Sequence, residues 1–434
     1  MHKWLLVACL LIANTGFSQL YFPPLTGITW QTTTPESLGW CPNRLDTLYR
    51  LLETNKTKAF IVLKDGKIVL EKYFGNFTQD SIWYWASAGK TVTAFLTGVA
   101  QQQGLLNIND STSKFLGKGW TSASPEQEGL ITIKHQLTMT TGLDFNVPDQ
   151  DCKLPSCLKY KSAAGSFWYY HNATYLLLQD VIAKASNQTF QQYTNQQLNF
   201  KTGMTSGWFN GILYSKPRSM ARFGLLMLNK GVWAGDSLLK DMNYYQQMMN
   251  TSQQHNLSYG YLWWLNGKTS YKLPGTTFNF NGTLCSTAPT DLVSGLGKND
   301  QKLYVWPSRN IVIIRMGDAA TDNSQVPVVF DVELWDELSK VMCTEYTGLS
   351  KTVSDNQMHV FPNPAQEKVT VNLQKPTFIH QLAIMSALGE NRIHIEMNEL
   401  SDKLDINTSL LSPGLYTLHI STISGRLIQK IIIK

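Results

Sequence analysis

Two apolar runs rich in β-branched and aromatic side chains flank an Asp-Gly pair in AFIVLKDGKIVLEKYF, residues 59–74. Such runs on either side of Asp65 and Gly66 are typical of a β-hairpin. Two further apolar runs flank a Pro-Ser pair in KLYVWPSRNIVIIRM, residues 302–316. The pattern therefore predicts two strand pairs, one early and one late in the chain.

Between these strand pairs, from residue 104 to about residue 290, apolar residues recur mostly at helical spacing. The clearest predicted helices lie at residues 87–102, 173–185, 218–230 and 329–342. The last of them is amphipathic. Strands before and after a largely helical region predict an α/β (α+β) fold, in which early and late segments form one antiparallel sheet. Helices flank this sheet, and the middle of the chain is a helical insertion.

The pattern changes after residue 343. Residues 344–357 are polar and predict a linker. In residues 358–434, short alternating strands are separated by Gly and Pro, which is typical of a small β-sandwich. We therefore expect a first domain at residues 19–343 and a C-terminal sandwich after the linker.

Residues 1–18 have the pattern of a signal peptide: a short positive end, about ten apolar residues, and small residues before a cut near Gln19. The alternative is a membrane anchor, but a bilayer span needs ~20 apolar residues. No later segment is long enough either. We therefore expect an exported protein without a membrane span.

The net charge of +6 is spread along the chain and not gathered in a basic run. This distribution gives no indication of binding to nucleic acid or to a membrane surface.

Five cysteines remain after removal of the predicted signal peptide: Cys41, Cys152, Cys157, Cys285 and Cys343. Export permits disulfides, and the short CKLPSC loop allows Cys152 to pair with Cys157, with two free thiols as the alternative. The odd total leaves at least one cysteine without an internal partner. The spacing, and the shortage of nearby histidines, argue against a zinc site.

Ser87 and Lys90 lie three residues apart in YWASAGKTVTAF, residues 84–95. On a helix this spacing brings the hydroxyl and the amine together on one face. A serine needs a base to take its proton, and a lysine can do so if burial lowers its pKa from ~10.4 towards neutrality. The flanking tryptophans and apolar residues predict that burial, so we infer a nucleophile and its base, with a surface pair as the alternative. Three more S-x-x-K copies lie in polar or Pro-containing stretches and begin at Ser111, Ser156 and Ser237.

A second candidate motif is Y-x-N in SFWYYHNATYLLLQD, where Tyr170 and Asn172 directly precede a predicted helix. A phenol can relay a proton to a leaving group, and an amide can orient the lysine. The same pattern at Tyr193 and Asn195 lies in a polar helical run, where an exposed aromatic is the simpler interpretation. For Tyr170 the alternative is a packed loop tyrosine.

Together, these elements and motifs resemble the serine β-lactamase and penicillin-binding family, and most closely its class C-related branch of esterases and amide hydrolases. The resemblance covers roughly residues 25–342. Its most specific segments are IKHQLTMTTGL, SMARFGLLMLNKG and YGYLWWL. In that family the serine is acylated while the lysine and tyrosine share proton transfer, which implies these roles for Ser87, Lys90 and Tyr170.

The family also has a K-T-G triplet on the strand before its last strand and helix. The literal K-T-G here, at residues 201–203, comes too early in the chain, and we expect it to lie outside the site. The matching place holds Gly295 and Gly297, with Leu296 between them. The resemblance implies that the backbone N–H of Lys298, together with that of Ser87, forms the oxyanion hole.

Two residues depart from the family pattern. Gly295 replaces the Lys or His that often helps to bind a substrate carboxylate, which argues against an efficient β-lactamase, although Lys298 could supply a cation. Asp300 stands where related sequences usually carry Gly.

Other chemistries find little support. The sequence has no G-x-S-x-G elbow and no phosphate-binding glycine loop, and we expect no cofactor and no metal. The histidines of this region are interpreted as packing or loop residues: His135, His171 and His255.

The C-terminal residues resemble the sorting domain of the type IX secretion system. The matching segments are FPNP at 361–364, GLY at 414–416 and the closing residues 425–434. The alternative is a generic sandwich that binds carbohydrate or cell wall. The resemblance implies transport through the periplasm to the cell surface or the medium, with the type IX machinery as a partner.

The sequence as a whole predicts a secreted serine hydrolase that acts on a small-molecule or peptide ester, amide or lactam. The competing hypothesis is a catalytically weak protein that binds or senses penicillin or wall peptides.

Overall fold

In this computed structural model, the described residues of the 434-residue chain are 20–320, 328–343, 358–386, 391–422 and 425–434. The predicted signal peptide at residues 1–18 and the predicted linker at residues 344–357 lie outside them.

The long α-helices of the described chain lie where apolar residues recur at helical spacing over three or more turns. The α-helices are α1 (Leu45–Thr54), α2 (Lys90–Gln102), α3 (Ser113–Leu116), α4 (Pro125–Gly129), α5 (Ile133–Leu137), α6 (Asn172–Ser186), α7 (Phe190–Thr194), α8 (Phe200–Thr202), α9 (Pro217–Leu228), α10 (Met242–Met248) and α11 (Val329–Val341).

In the first domain the longest strands lie near its two ends, with shorter strands between them, and further strands lie in the C-terminal part. They are β1 (Thr57–Lys64), β2 (Lys67–Tyr73), β3 (Trp83–Tyr84), β4 (Ser206–Phe209), β5 (Ile212–Ser215), β6 (Val232–Trp233), β7 (Asp236–Ser237), β8 (Trp264–Leu265), β9 (Ser270–Tyr271), β10 (Phe280–Asn281), β11 (Val293–Gly297), β12 (Gln301–Trp306), β13 (Ile311–Gly317), β14 (Met358–Phe361), β15 (Lys368–Ser386), β16 (Asn391–Asn407), β17 (Gly414–Thr422) and β18 (Gly425–Ile433).

The main sheet has six strands in the order β2-β1-β13-β12-β11-β8, and every neighbouring pair is antiparallel. The early hairpin β1–β2 turns at Asp65 and Gly66, whose φ angles of 50° and 82° suit such a tight turn. The late strands β11, β12 and β13 complete the sheet. The predicted antiparallel sheet of early and late segments is therefore confirmed.

Helices α2 and α9 anchor the helical part of the domain. All residues of α2 from Lys90 to Ala100 are buried, so it is a central helix. Helix α9 lies against the sheet at Gly224, where an added Cβ would come within 2.4 Å of Val312 Cγ1. One hydrophobic core joins these helices to both faces of the early and late strands, from Trp30 to Met342.

The middle of the chain contains more strand than the pattern predicted. The β4–β5 hairpin pairs with the two residues of β3 to form a small three-stranded sheet. These strands are four residues long or shorter, and β3 pairs with residues about 130 positions later in the chain. Strands this short show no alternation of apolar and polar residues, and a partner so far away in the sequence cannot be recognised from local pattern.

The first domain contains two disulfides. Cys41 is bonded to Cys343, and Cys152 is bonded to Cys157. Cys285 is a buried free thiol, and burial raises its pKa to about 12.

The C-terminal residues form a separate β-rich unit, as predicted. Strands β14, β15, β17 and β18 are hydrogen-bonded in that order, and β16 pairs with the other edge of β15. Strands β15 and β16, at 19 and 17 residues, are longer than the short strands expected. Apolar side chains of all five strands form a second hydrophobic cluster.

Among the described residues, no helix has the length and apolarity needed to cross a membrane.

Candidate active site

Ser87 lies on a 3-10 turn, Ala86–Gly89, between strand β3 and helix α2, and its side chain is partly exposed. The buried Trp85 holds this turn, because its indole N–H donates to Ser215 Oγ (2.8 Å). Ala86 has a φ of 46°, in the left-handed region that residues with a side chain seldom adopt. The candidate nucleophile therefore sits on a constrained turn and not inside the regular helix that the pattern predicted.

Lys90, the first residue of α2, brings the predicted site residues together. Its Nζ donates to Ser87 Oγ (2.8 Å) and to Asn172 Oδ1 (2.9 Å). The same amine lies 4.9 Å from the ring centroid of Tyr170 and 4.4 Å from that of Tyr175. The amine is thus enclosed by one hydroxyl, one amide oxygen and two aromatic faces.

Burial changes the proton affinity of this amine. Lys90 is only 4% exposed, and desolvation lowers its pKa from 10.5 to about 7. The negative charge of Asp151 acts in the opposite direction but is the smaller effect. A large fraction of Lys90 is therefore neutral near pH 7, which is the form that can accept a proton.

Tyr170 and Asn172 flank the start of α6. The ring of Tyr170 stacks on Trp264, with centroids 5.9 Å apart and planes 20° from parallel. Burial raises the pKa of the Tyr170 phenol, while its hydrogen bond with Ser87 opposes that rise. Tyr170 is therefore held beside Ser87 in its neutral form, with a proton available to donate.

Strand β11 closes the other side of the Ser87 turn. A Cβ added at Gly297 would lie 2.4 Å from Trp85 O and 3.0 Å from Ala88 N, and one added at Gly295 would lie 3.1 Å from Thr91 Cγ2. The strand thus approaches the turn too closely for a side chain at 297, and it leaves little room for one at 295. Lys298, the next residue, is exposed.

The literal K-T-G triplet lies at the end of helix α8 and not on a strand of the main sheet. Lys201 and Thr202 end helix α8, Gly203 terminates it with a φ of 70°, and Lys201 Nζ contacts Gln197 Oε1. Among the other S-x-x-K copies, Lys114 forms an exposed ion pair with Asp110.

One expectation about the second Y-x-N copy was wrong. Tyr193 is buried, with 1% exposure, and its hydroxyl donates to Gln103 Oε1 (2.9 Å). Of the polar residues near it in the sequence, Gln192 and Gln196 are exposed, whereas Thr194 is buried like Tyr193 itself. Tyr193 therefore belongs to the core.

Sequence reasoning missed two groups near Lys90. Tyr175 lies one helical turn beyond Asn172 on α6, so its contact with Lys90 follows from i, i+3 spacing once Asn172 is placed. Asp151 directly precedes Cys152, the first cysteine of the short disulfide, and no local pattern marks it.

Aromatic residues are concentrated at 83–85, 168–169 and 259–264, and this concentration predicts an apolar wall for a cleft. The structure corrects this for several of them: the fully buried Trp85, Trp168, Tyr259 and Trp263 belong to the core. Trp83 and Tyr84 are partly exposed beside the Ser87 turn.

The three histidines form no catalytic cluster with Ser87. His135 bonds to Thr132 near the start of α5, His171 Nε2 lies 3.3 Å from Asp144 O, and His255 Nε2 lies 2.9 Å from Gly165 O. Within the described chain, no group of three or more His, Cys, Asp or Glu is arranged to hold a metal ion.

Two protein families match this chain. The family described as Beta-lactamase matches residues 53–316, and the family described as Secretion system C-terminal sorting domain matches residues 359–434.

Individual relatives are distant. An uncharacterized protein of Alkalihalophilus pseudofirmus is 21% identical over 61% of this chain and 84% of its own length. The D-alanyl-D-alanine-carboxypeptidase/endopeptidase AmpH of Escherichia coli is 28% identical over 34% of this chain and 43% of its own length. This chain therefore spans less than half of the second relative.

Solved structures share the fold at lower identity. The Bacillus anthracis protein named "Putative 6-aminohexanoate-dimer hydrolase" superposes with a TM-score of 0.56 at 17% identity, covering 74% of this chain and 89% of its own. At that identity the likeness shows the fold alone.

Proposed function

The chain belongs to the beta-lactamase family and carries a secretion-system sorting domain at its C-terminal end, and from that premise we propose that it is an exported serine hydrolase. It forms an acyl-enzyme on Ser87 from an ester, amide or lactam and releases it with water. The observation that carries this proposal is the buried Lys90 amine, 2.8 Å from Ser87 Oγ and with a pKa lowered to about 7.

Acylation begins when the neutral Lys90 amine accepts the proton of Ser87. The serine oxygen bonds to the substrate carbonyl carbon, and the carbonyl oxygen becomes an oxyanion. The backbone N–H groups of Ser87 and Lys298 stabilise this oxyanion. Tyr170 then donates its proton to the leaving group and recovers a proton from Lys90, so that the C–O or C–N bond breaks without a free anion.

Deacylation reverses these roles with water as the nucleophile. Water loses a proton to the Tyr170 and Lys90 pair and attacks the acyl carbon. The pair then returns this proton to Ser87 Oγ as the bond between that oxygen and the acyl carbon breaks, which releases the acid and the free serine. Asn172 holds the lysine amine in line through its side-chain oxygen, 2.9 Å away.

The residue at position 295 bears on the choice of substrate. Gly295 offers no cation where family members often bind a carboxylate, and the closeness of β11 to Thr91 leaves little room for one. This arrangement favours uncharged esters or amides over β-lactams with a carboxylate. The Escherichia coli relative, named as a D-alanyl-D-alanine-carboxypeptidase/endopeptidase, keeps wall peptides among the substrates to be tested.

The sorting domain supports export. We infer that the chain crosses the inner membrane by means of its N-terminal segment and reaches the cell surface or the medium through a type IX secretion system. The disulfides Cys41–Cys343 and Cys152–Cys157 suit such an oxidising destination.

The test is hydrolysis of a chromogenic short-chain ester. Ser87→Ala should lower kcat by ~10⁴-fold or more, as is typical for loss of a nucleophile. Ser111→Ala, Ser156→Ala and Ser237→Ala are matched controls from the other S-x-x-K copies and should retain near-normal rates. Activity retained in Ser87→Ala would overturn the proposal, and the absence of turnover in the unmodified protein would favour the binding or sensing alternative.

A further inference from the structure

The turn that follows β11, Lys298–Asp300, has an unusual backbone. Asn299 and Asp300 both have left-handed φ angles, of 59° and 57°. Asn and Asp adopt this region more readily than other residues with side chains, yet two in succession require support from the surroundings. This conformation also explains why Asp300 can stand where related sequences carry Gly.

Two buried side chains hold the carbonyl groups of this turn. The Gln301 amide donates to Asn299 O (2.8 Å) and more weakly to Lys298 O (3.5 Å). The Arg315 guanidinium donates to Asp300 O (2.8 Å) and to Asn299 O (3.3 Å). Each carbonyl oxygen of the turn therefore accepts at least one hydrogen bond from the interior of the domain.

The same two side chains tie the turn to the main sheet. Gln301 Nε2 also donates to Gly317 O (2.6 Å), and Gln301 Oε1 accepts from Gly317 N (3.2 Å). Arg315 Nε donates to Thr57 Oγ1 (2.9 Å), and its Nη2 donates to Asp318 O (3.0 Å) and to Asn55 O. The turn is therefore fixed to the start of β1 and the end of β13.

Arg315 uses all five N–H groups of its guanidinium to hold the turn and the neighbouring strand ends. Its side chain is fully buried, and its five N–H groups are directed at four carbonyl oxygens of the backbone and one hydroxyl, as the distances above show. Burial lowers its pKa only to about 10, so the guanidinium stays charged at neutral pH. Burying a charge costs free energy, and an apolar residue often stabilises a core position equally well. A buried arginine at this position is therefore not explained by stability alone.

The turn also contacts the strand that leads into Ser87. Asn299 Nδ2 donates to the Tyr84 hydroxyl (2.7 Å). Directly before the turn, Gly297 lies against the backbone of Trp85 and Ala88. The position of the Lys298 N–H relative to the Ser87 turn is therefore set by how firmly residues 298–300 are held.

We propose that Gln301 and Arg315 are positioning residues that align the Lys298 N–H as an oxyanion donor. This inference rests on the proposed function. Oxyanion stabilisation requires the donor within ~2.7–3.1 Å of the developing charge, so a small movement of the turn reduces the rate without removing substrate binding.

The experiment compares Gln301→Asn and Arg315→Lys with the unmodified protein. Asn is one methylene shorter and cannot reach Asn299 O and Gly317 together, whereas Lys keeps the charge but not the five-donor fork. Each variant should lower kcat by about 10- to 100-fold with a nearly unchanged KM. Affinity for a boronic acid, which places a tetrahedral oxygen in the oxyanion hole, should fall by a similar factor.

Three controls separate positioning from general destabilisation. Gln197→Asn and Arg50→Lys make the same changes on the surface and should leave kcat unchanged. The acid limb of the pH profile should not move in either test variant, because Lys90 keeps its surroundings. Circular dichroism and a thermal melt show whether each variant is folded at the assay temperature; Gln301→Asn decides the question if Arg315→Lys does not fold.

The failure of this inference is distinguishable from the failure of the proposed function. If Ser87→Ala is inactive while folded Gln301→Asn keeps normal kcat and boronate affinity, the positioning role is wrong and the nucleophile stands. If Ser87→Ala remains active, both are wrong.

Discussion

The Lys90 amine shows how one residue acquires its chemistry from its surroundings. Lysine is normally protonated at neutral pH, but at 4% exposure its charged form loses most of its hydration. Ser87, Asn172 and two aromatic faces replace water only in part, so the pKa falls to about 7. The sequence allowed this prediction, because apolar residues surround the motif on both sides. It did not allow the effect of the Asp151 charge to be predicted, since that effect depends on how a distant loop folds back.

The first prediction concerns the charge of Asp151, which raises the pKa of Lys90. Asp151→Asn removes a negative charge that favours protonated lysine, so the pKa should fall further and the neutral base should persist to lower pH. The acid limb of the kcat/KM profile should therefore move to lower pH, by a few tenths of a unit on the order expected for an exposed, screened charge. Asp149→Asn, in the same exposed loop, is the matched control. A limb that stays in place or moves to higher pH would contradict the assigned base.

At the scale of elements, the site depends on the approach of strand β11 to the Ser87 turn. The long elements of the domain were predictable, because the β1–β2 hairpin and the helices carry their own turn and periodicity signals. The place of β11 was inferred from chain order and family resemblance. The small β3–β4–β5 sheet was not found, because its two-residue strand β3 is stabilised by partners far away in sequence.

The second prediction tests the approach of β11. Gly297→Ala should abolish turnover in a folded protein, because its methyl group would lie 2.4 Å from a backbone oxygen of the Ser87 turn. Gly295→Ala should retain more activity, since its nearest neighbour is the Thr91 methyl group at 3.1 Å. Lys201→Ala, in the other triplet, should be near normal. Steady-state kinetics with a chromogenic ester provides the ranking, and the reverse order would mean that the catalytic strand has been misplaced.

At the scale of the whole molecule, the Cys41–Cys343 disulfide joins residues 302 positions apart. It connects the segment before α1 to the residue just after α11, beside the hydrogen bond from Cys41 N to Val341 O. The sequence indicated that one cysteine would be left over but could not identify the pairs, because pairing depends on the folded path of the chain. The short Cys152–Cys157 pair was the exception, since both cysteines lie in one loop.

The third prediction follows from the length of the loop that each disulfide closes. Cys41→Ser with Cys343→Ser should lower the free energy of unfolding by roughly 2–5 kcal/mol, because the long loop gains most entropy in the unfolded chain. Cys152→Ser with Cys157→Ser, which opens a loop with a separation of 5, should have a smaller effect on stability. Denaturant unfolding of the two double variants makes the comparison. Equal losses of stability would contradict this account of the long disulfide.

The fourth prediction is that the first domain carries the catalytic activity and that the C-terminal part directs export. Ser87, Lys90, Tyr170 and β11 all precede residue 343, and the C-terminal strands have their own hydrophobic cluster. A chain of residues 20–345 should therefore fold and hydrolyse the same ester with similar kcat/KM. In the native host, the corresponding truncation should leave the protein in the periplasm, as judged by immunoblots of periplasm and medium. A large fall in kcat/KM with an intact fold would show that the C-terminal part contributes to the active site. Unchanged export of the truncated chain would show that the C-terminal part is not the export signal.

The central claim is a covalent acyl-enzyme on Ser87 activated by Lys90. The most direct measurement is intact-protein mass spectrometry after incubation with a fluorophosphonate, followed by mapping of the modified peptide. We predict one equivalent of label on the peptide that contains Ser87, faster labelling as pH rises through about 7 in step with the lowered pKa of Lys90, and none in Ser87→Ala. Label on another serine, or equal labelling of Ser87→Ala, would contradict the account.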